Sequence, residues 1–363
     1  MNYTRLCALL FSVALWGWVT SCGPKSSADG EVPPVPTTGV GTPYVWKKPA
    51  NFPEPVYNFQ TNPLTREGVA LGRTLFYDPM LSKDGTIACA FCHSPSTAFS
   101  HTDHPLSHGI NNQTGIRNVP GISNMAWRQT FFWDGSIANL DLLPIAPIQN
   151  PVEMGDSLRN VLQKVRTSGR YRPLFKAAYG TDSVTSERFL KALSQFMLTM
   201  VSANSGYDKF ARNEADAALP AAAQRGLTLF QAKCAGCHKE PFFTDQSFRN
   251  NGLPKLAATK ADDLGRGAIS GQAADNNKFH VPSLRNVEFT PPYMHDGRFS
   301  TLQQVLRHYA TGVQDSPQLD PLLKQNGQLG IPMTQQEQND IITFLLTLTD
   351  YSFISNPDLQ PLR

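Results

Sequence analysis

Cys89-Ala90-Phe91-Cys92-His93 and Cys234-Ala235-Gly236-Cys237-His238 are the two stretches on which the reading of this 363-residue chain turns. Each is a C-x-x-C-H pattern. Two thiols three positions apart can each form a thioether with one edge of a porphyrin, and the next histidine is then held beneath the iron as proximal ligand. A redox dithiol or a zinc site also uses C-x-x-C. Neither explains a histidine directly after both pairs. The remaining cysteines are Cys7 and Cys22, and both have another use near the N-terminus, so none is left for a disulfide. The pattern predicts two covalently attached haem c groups, one on Cys89, Cys92 and His93, the other on Cys234, Cys237 and His238.

Outward from these pairs, Gly72-Arg73-Thr74-Leu75-Phe76 precedes the first and Gly226-Leu227-Thr228-Leu229-Phe230 the second. Both read as short amphipathic helices leading into a haem site, a duplicated cytochrome c module with extra residues in the first copy. Phe189, Leu190, Leu193, Phe196, Met197, Met200 and Val201 fall on one face at a period of 3.6, which predicts a core helix. Thr334-Gln335-Gln336-Glu337 is a capping box opening a helix through Ile341, Ile342, Phe344, Leu345 and Leu348. No run of alternating strand residues appears, and 28 Pro and 26 Gly imply many loops. The expected fold is mainly α, with two cytochrome c-like domains, each around one covalently bound haem c. The Ala-rich stretch near Pro220 divides them, giving an N-terminal domain over 46–215 and a C-terminal domain over 216–355.

The first residues read as an export signal over 1–21. Arg5 supplies the positive charge and Leu6 to Val19 the apolar stretch, which is short for a membrane span of about 20 residues. Val19-Thr20-Ser21-Cys22 resembles a lipobox, so Cys22 is expected to be lipidated and to anchor the chain in the periplasm or cell envelope without spanning the membrane. Residues 22–45 read as a flexible tether. The 32 basic and 29 acidic side chains leave a net +3, too even for a nucleic-acid-binding face.

Two haems in one chain serve either electron transfer or catalysis. A transfer haem has both axial positions filled, whereas a catalytic one keeps a face open. Candidate sixth ligands are His101, His104, His108, His280, His295, His308, the methionines and tyrosine, and spacing alone does not choose among them. Longer motifs narrow the choice. Phe132-Trp133-Asp134-Gly135 and Pro147-Ile148-Gln149-Asn150-Pro151-Val152-Glu153-Met154 follow the first pair. Val281-Pro282-Ser283-Leu284-Arg285-Asn286-Val287 and Thr290-Pro291-Pro292-Tyr293-Met294-His295-Asp296-Gly297 follow the second. Through these motifs residues 63 to 350 resemble the bacterial di-haem cytochrome c peroxidases, a family that includes the MauG-type enzymes.

The resemblance implies that the haem on His93 is peroxidatic and that the haem on His238 delivers electrons. Glu153 matches the glutamate of the peroxide pocket, and Pro147 would line that pocket. Trp133 matches a tryptophan between the haems. Asn118, Thr290 and Pro292 match contacts to one Ca²⁺, the proline through its carbonyl. Taken alone, Glu153 would read as a solvated carboxylate and Trp133 as a core residue. Two positions depart from the peroxidase pattern. Where peroxidases carry a ligating methionine, fourteen residues after the histidine of the Pro-Tyr-x-His motif, this chain has Tyr309, as MauG-type members do. Met294 is the alternative ligand, although beside His295 it is expected to be packing. His108-Gly109 resembles a loop histidine that caps the first iron in the resting state, one residue short of the usual spacing from His93. The implied function is a peroxidase reducing H2O2 to water with electrons from a small cytochrome c or a cupredoxin. The alternatives are a MauG-like oxidase acting on a protein or organic substrate, and a non-catalytic electron-transfer cytochrome.

Overall fold

Thr65 starts the first long helix, Arg66–Phe76, by accepting the Gly68 amide hydrogen bond, and the helix buries Leu71, Leu75 and Phe76. This computed structural model describes residues 40–254 and 262–362. The expected export signal, the Cys22 attachment point and most of the tether lie outside the described residues. The tether as expected is too long at its C-terminal end. Tyr44 donates to the Leu64 carbonyl at 3.0 Å, and Glu67 accepts from the Thr42 amide at 2.7 Å, so the chain is already held before Trp46.

The helix expected from the 3.6 period is Ser186–Leu198, capped by Thr185 and burying Phe189, Leu190, Leu193, Phe196 and Met197. It crosses Arg66–Phe76 at Gly72, where a Cβ would fall 1.9 Å from the Ala192 carbonyl oxygen. The second pair of helices repeats this crossing. Ala221–Lys233 meets Gln335–Leu346, whose Thr334–Glu337 capping box forms as expected. A Cβ on Gly226 would fall 1.9 Å from the Asp340 carbonyl oxygen. Both crossings need backbone against backbone, which only glycine permits. Gly226→Ala is therefore expected to lower stability by about 1–3 kcal/mol through overpacking, read as a drop in melting temperature with both haems still attached.

Two hydrophobic clusters follow from these pairs. One gathers Leu71, Leu75, Phe76, Phe189 and Phe196, the other Phe230, Phe243, Ile341 and Phe344. The chain returns to the first cluster at its end: Phe353 packs 5.5 Å from Phe99, and Tyr77 donates to the Leu359 carbonyl. Strands among the described residues are four two-residue pieces, Phe248–Arg249 with Phe279–His280 and Lys324–Gln325 with Gln328–Leu329. The mainly helical expectation holds. No helix among the described residues is long and apolar enough to cross a membrane.

A second repeat lies in the loops. Asn124, Phe132 and Gly135 have positive φ, as do Asn286, Met294 and Gly297. Phe131 bridges Ile137, and Tyr293 bridges Phe299. Each pair of counterparts is separated by the same 162 positions, from Asn124 to Asn286 and from Phe131 to Tyr293. The register continues into the helix N-caps Asn139 and Thr301.

Candidate active site

Both C-x-x-C-H segments are built alike. The His93 Nδ1 donates to the Phe99 carbonyl at 2.9 Å, and the His238 Nδ1 to the Phe243 carbonyl at 2.9 Å. A carbonyl can only accept, so Nδ1 carries the proton and Nε2 the lone pair, the tautomer an iron ligand needs. Burial pushes His93 down to about 4 and lowers His238 as well, which keeps both imidazoles neutral. Burial also pushes the Cys89 and Cys234 thiols up to about 12. Redox-active cysteines have lowered values instead. Neither cysteine pair joins its histidine in a metal-type cluster among the described residues. The raised thiols do not suit a redox dithiol.

On the first side, three sequence-predicted residues come together. The Ile110 amide donates to the Glu153 carbonyl at 2.9 Å, and a Cβ on Gly109 would lie 2.1 Å from that same oxygen. The His108 carbonyl lies 3.7 Å from the Cys92 sulfur. Glu153 in turn is close enough to Cys92 to raise its thiol electrostatically. Burial raises the Glu153 carboxyl above its ordinary range, against an opposing hydrogen bond from Asn150. Pro147 lies on the short Ile145–Gln149 helix, and its carbonyl accepts from the Met154 amide at 3.2 Å.

On the second side Cys234, Cys237, His238, Tyr309 and Met294 all line one cavity. Tyr309 sits in a π-helical turn, His308–Gly312, which follows the Leu302–Arg307 helix and breaks its register. Burial and the two thiols push its phenol up to about 12. Met294 is not the packing residue expected. Its left-handed backbone (φ 76°) turns it to the cavity, where its sulfur accepts from the Asn251 side-chain amide at 3.4 Å. Asn251 also lies near enough to Tyr309 to oppose the rise of its phenol, so one side chain neighbours both candidate ligands.

Trp133, Asn118, Thr290 and Pro292 line the same cavity. The Trp133 indole donates to the Asn118 carbonyl at 2.9 Å, the Asn118 amide to the His295 carbonyl at 2.7 Å, and its Nδ2 to the Pro105 carbonyl at 3.0 Å. Two further residues carried no signal in the sequence, and a third, His280, stood there only as one of six histidines offered as sixth ligands. One is Asn251, which belongs to no motif. Arg128 reaches the cavity with one partner, the Gly121 carbonyl, and desolvation pushes it down to about 10. His280 faces the cavity with its Nε2 buried and unpartnered among the described residues. A desolvated cation and an unpaired ring nitrogen beside an apolar cavity call for an anionic group. The two propionates of a haem are such groups, and the donor set fits haem c.

The 162-residue register adds a comparison between the halves. Tyr309 corresponds to Pro147, Met294 to Phe132, and His295 to Trp133. The second half thus has ligand atoms at three positions where the first half has none.

The model of the di-haem cytochrome c peroxidase family matches residues 66–216. The methylamine utilization protein MauG of Methylorubrum extorquens is 36% identical over 314 residues, covering 84% of this chain and 83% of its own length. This chain belongs to the di-haem cytochrome c peroxidase family. The cytochrome c551 peroxidase of Nitrosomonas europaea is 35% identical over 294 residues, covering 80% and 83%. Among solved structures, a MauG-like protein associated with microbial copper homeostasis superposes with a TM-score of 0.77 at 32% identity, covering 88% of this chain and 99% of its own. The diheme peroxidase BthA from Burkholderia thailandensis shares the fold, with a TM-score of 0.70 at 23% identity and coverage of 83% and 91%. As a di-haem cytochrome c peroxidase family member the chain is an oxidoreductase, and the family implies two haem c groups.

Proposed function

We propose that the chain reduces hydrogen peroxide to water, with electrons from a small cytochrome c or a cupredoxin, and that peroxide reacts at the domain of residues 46–215. The observation that carries this reading is the register between the halves. Where residues 216–355 place Tyr309 and Met294, the first half places Pro147 and Phe132, whose side chains have no atom that can bind iron. Haem c on His93 would supply a redox-active iron with an accessible face.

Glu153, near Cys92 and in a desolvated setting suited to moving a proton, would act at that face. It takes the proton from one peroxide oxygen and returns it to the other as the O–O bond breaks, so that two electrons and two protons yield two waters. Pro147 and Phe132, with no ligand atom in their side chains, would not compete for the iron. Trp133, fixed through its indole N–H on Asn118, serves as the electron relay between the halves. Asn118, Thr290 and Pro292 supply oxygen ligands for one Ca²⁺. The Asn118 Nδ2 is committed to Pro105, which turns its Oδ1 outward as the ligand atom. His108 would cap the first iron at rest and leave it on reduction. Export and a lipid on Cys22 place the enzyme at the periplasmic face of a membrane.

A second reading, a MauG-like oxidase acting on a protein or organic substrate, draws its support from Tyr309. An anionic phenolate ligand stabilises ferric iron, whereas a thioether favours the reduced state. Tyr309→Met is expected to raise the potential of the second haem by more than about 100 mV, within the roughly 0.8 V that axial ligation spans. Spectroelectrochemistry of the holoenzyme reads this directly, and an unchanged potential rules out Tyr309 as ligand. Steady-state turnover of peroxide with reduced cytochrome c decides between the two catalytic readings. EPR of the as-isolated and half-reduced protein tests both. Two irons that stay fully ligated and inert to peroxide in every redox state leave only an electron carrier.

A further inference from the structure

The loop after the first cysteine pair gathers three imidazoles that neither haem attachment nor the proton step uses together. His101, His104 and His108 each bring one ring nitrogen within 4.8 Å of the other two. Their ring centroids lie 5.7 Å apart for His101 and His104, 5.0 Å for His101 and His108, and 4.3 Å for His104 and His108. We infer that these three histidines form a binding site for an imidazole-preferring transition-metal ion, Cu(II) or Zn(II), separate from both haems.

Two independent features support a ligand here. The Nε2 atoms of His101 and His108 are buried and have no hydrogen-bond partner among the described residues. Leaving a buried polar atom unpaired costs about 1–3 kcal/mol, so two such atoms beside a third imidazole are complementary to one shared cation. The Phe91 ring also packs against both, its centroid 6.1 Å from that of His101 and 5.0 Å from that of His108, which limits how either imidazole can turn.

The backbone holds this arrangement before any ion arrives. Ser94 bridges Ser100 beside His101, His108 bridges Thr114, and the Gly109 amide donates to the Gln113 carbonyl at 3.0 Å. His104 sits between them on an exposed stretch, so an ion can enter from solvent. Three neutral imidazoles without a thiolate suit Cu(II) or Zn(II) rather than Ca²⁺ or Mg²⁺, and they leave one position for water. The nearby Asp103 carboxylate adds favourable charge without occupying the site.

The test is calorimetric titration of the di-haem holoenzyme with Zn(II) in excess Ca²⁺, run on the oxidised and the half-reduced protein. One equivalent is expected to bind with micromolar or tighter affinity. His104→Gln, at an exposed position, and His101→Gln are each expected to weaken it about 100-fold or more. Cu(II) added to the same protein is expected to show nitrogen hyperfine structure in its EPR signal, lost in His104→Gln. The haem spectra of His104→Gln should match the parent, which confirms folding. Absence of stoichiometric Zn(II) binding in both redox states, or binding indifferent to both substitutions, overturns the inference. Because His108 would be free for this site only when it is off the first iron, binding confined to the half-reduced protein also supports the inference, and the proposed function is tested apart from it by peroxide turnover of the parent.

Discussion

Glu153→Gln is expected to cut peroxide turnover about 10²–10⁴-fold, the range general acid–base catalysis supplies, while both haems remain attached. The substitution keeps the size and shape of the side chain and removes only its capacity to take and return a proton. The fold around it is set by its backbone, through the Ile110 amide and the close approach of Gly109, and those contacts do not change. Burial raises the Glu153 carboxyl, so ionising it costs more in the folded chain than in the unfolded one. That cost destabilises the fold as pH rises through the raised value, and Gln removes it. The variant is therefore expected to be at least as stable as the parent at neutral pH, and lost turnover cannot be charged to unfolding. The pH profile gives a second readout. A base must be ionised to act, so the parent should lose activity on acidification at a higher pH than a surface glutamate would. That acidic limb should vanish in the variant. A variant with parental turnover and an unchanged profile removes Glu153 from the mechanism.

The elements with strong local signals were legible before the fold was known. The two C-x-x-C-H segments, the Ser186–Leu198 helix and the Thr334 capping box each rest on residues close together in the chain. The Gly72 and Gly226 stretches also read as a repeat, but the reason for it lies in helix crossings with partners over 100 residues away. The longer loop repeat is hard to see because its identities, Val119-Pro120, Asn124 and Asp134-Gly135 with Val281-Pro282, Asn286 and Asp296-Gly297, are scattered among differing side chains. Phe132 and Met294 have little in common except a positive φ. The same holds for the site. Glu153, Trp133 and Tyr309 stand in recognisable motifs. Arg128, His280 and Asn251 matter through what they face, and composition cannot reveal that. Met294 read as packing because a methionine beside a motif usually is, and only the left-handed turn at that residue directs it to the cavity.

Arg285→Met is expected to destabilise the protein by about 3–5 kcal/mol, the cost of stranding a buried partner charge. Arg285 and Asp208 form a bidentate pair with both bonds at 2.8 Å and side-chain exposures of 1% and 0%. Without the guanidinium, the side-chain carboxylate of Asp208 keeps neutral donors among the described residues, Asn51 at 3.2 Å and the Ser205 amide and hydroxyl at 3.0 and 2.8 Å. Burial alone would raise the Asp208 carboxyl, but the bonds to Arg285 outweigh it and hold the group below the ordinary carboxylate range. A depressed acid contributes stability that is fully present above the unfolded value of about 3.9 and is lost as pH falls through the folded one. The parent should therefore lose this stability only in strong acid, and Arg285→Met should lack it already at neutral pH. The double variant Arg285→Met, Asp208→Leu is expected to recover much of the loss, since it removes the stranded charge along with its partner. The pair also has a structural reach beyond its own energy. The guanidinium lies 4.7 Å from the Phe52 ring of the first hydrophobic cluster and 5.8 Å from the Phe243 ring of the second. Phe243 is the residue whose carbonyl orients His238. If the pair locks the two clusters together, denaturant unfolding of the holoenzyme should lose cooperativity in Arg285→Met, and the His238 haem should respond before the His93 haem. A single cooperative transition with parental stability in that variant would show that the fold does not depend on this contact.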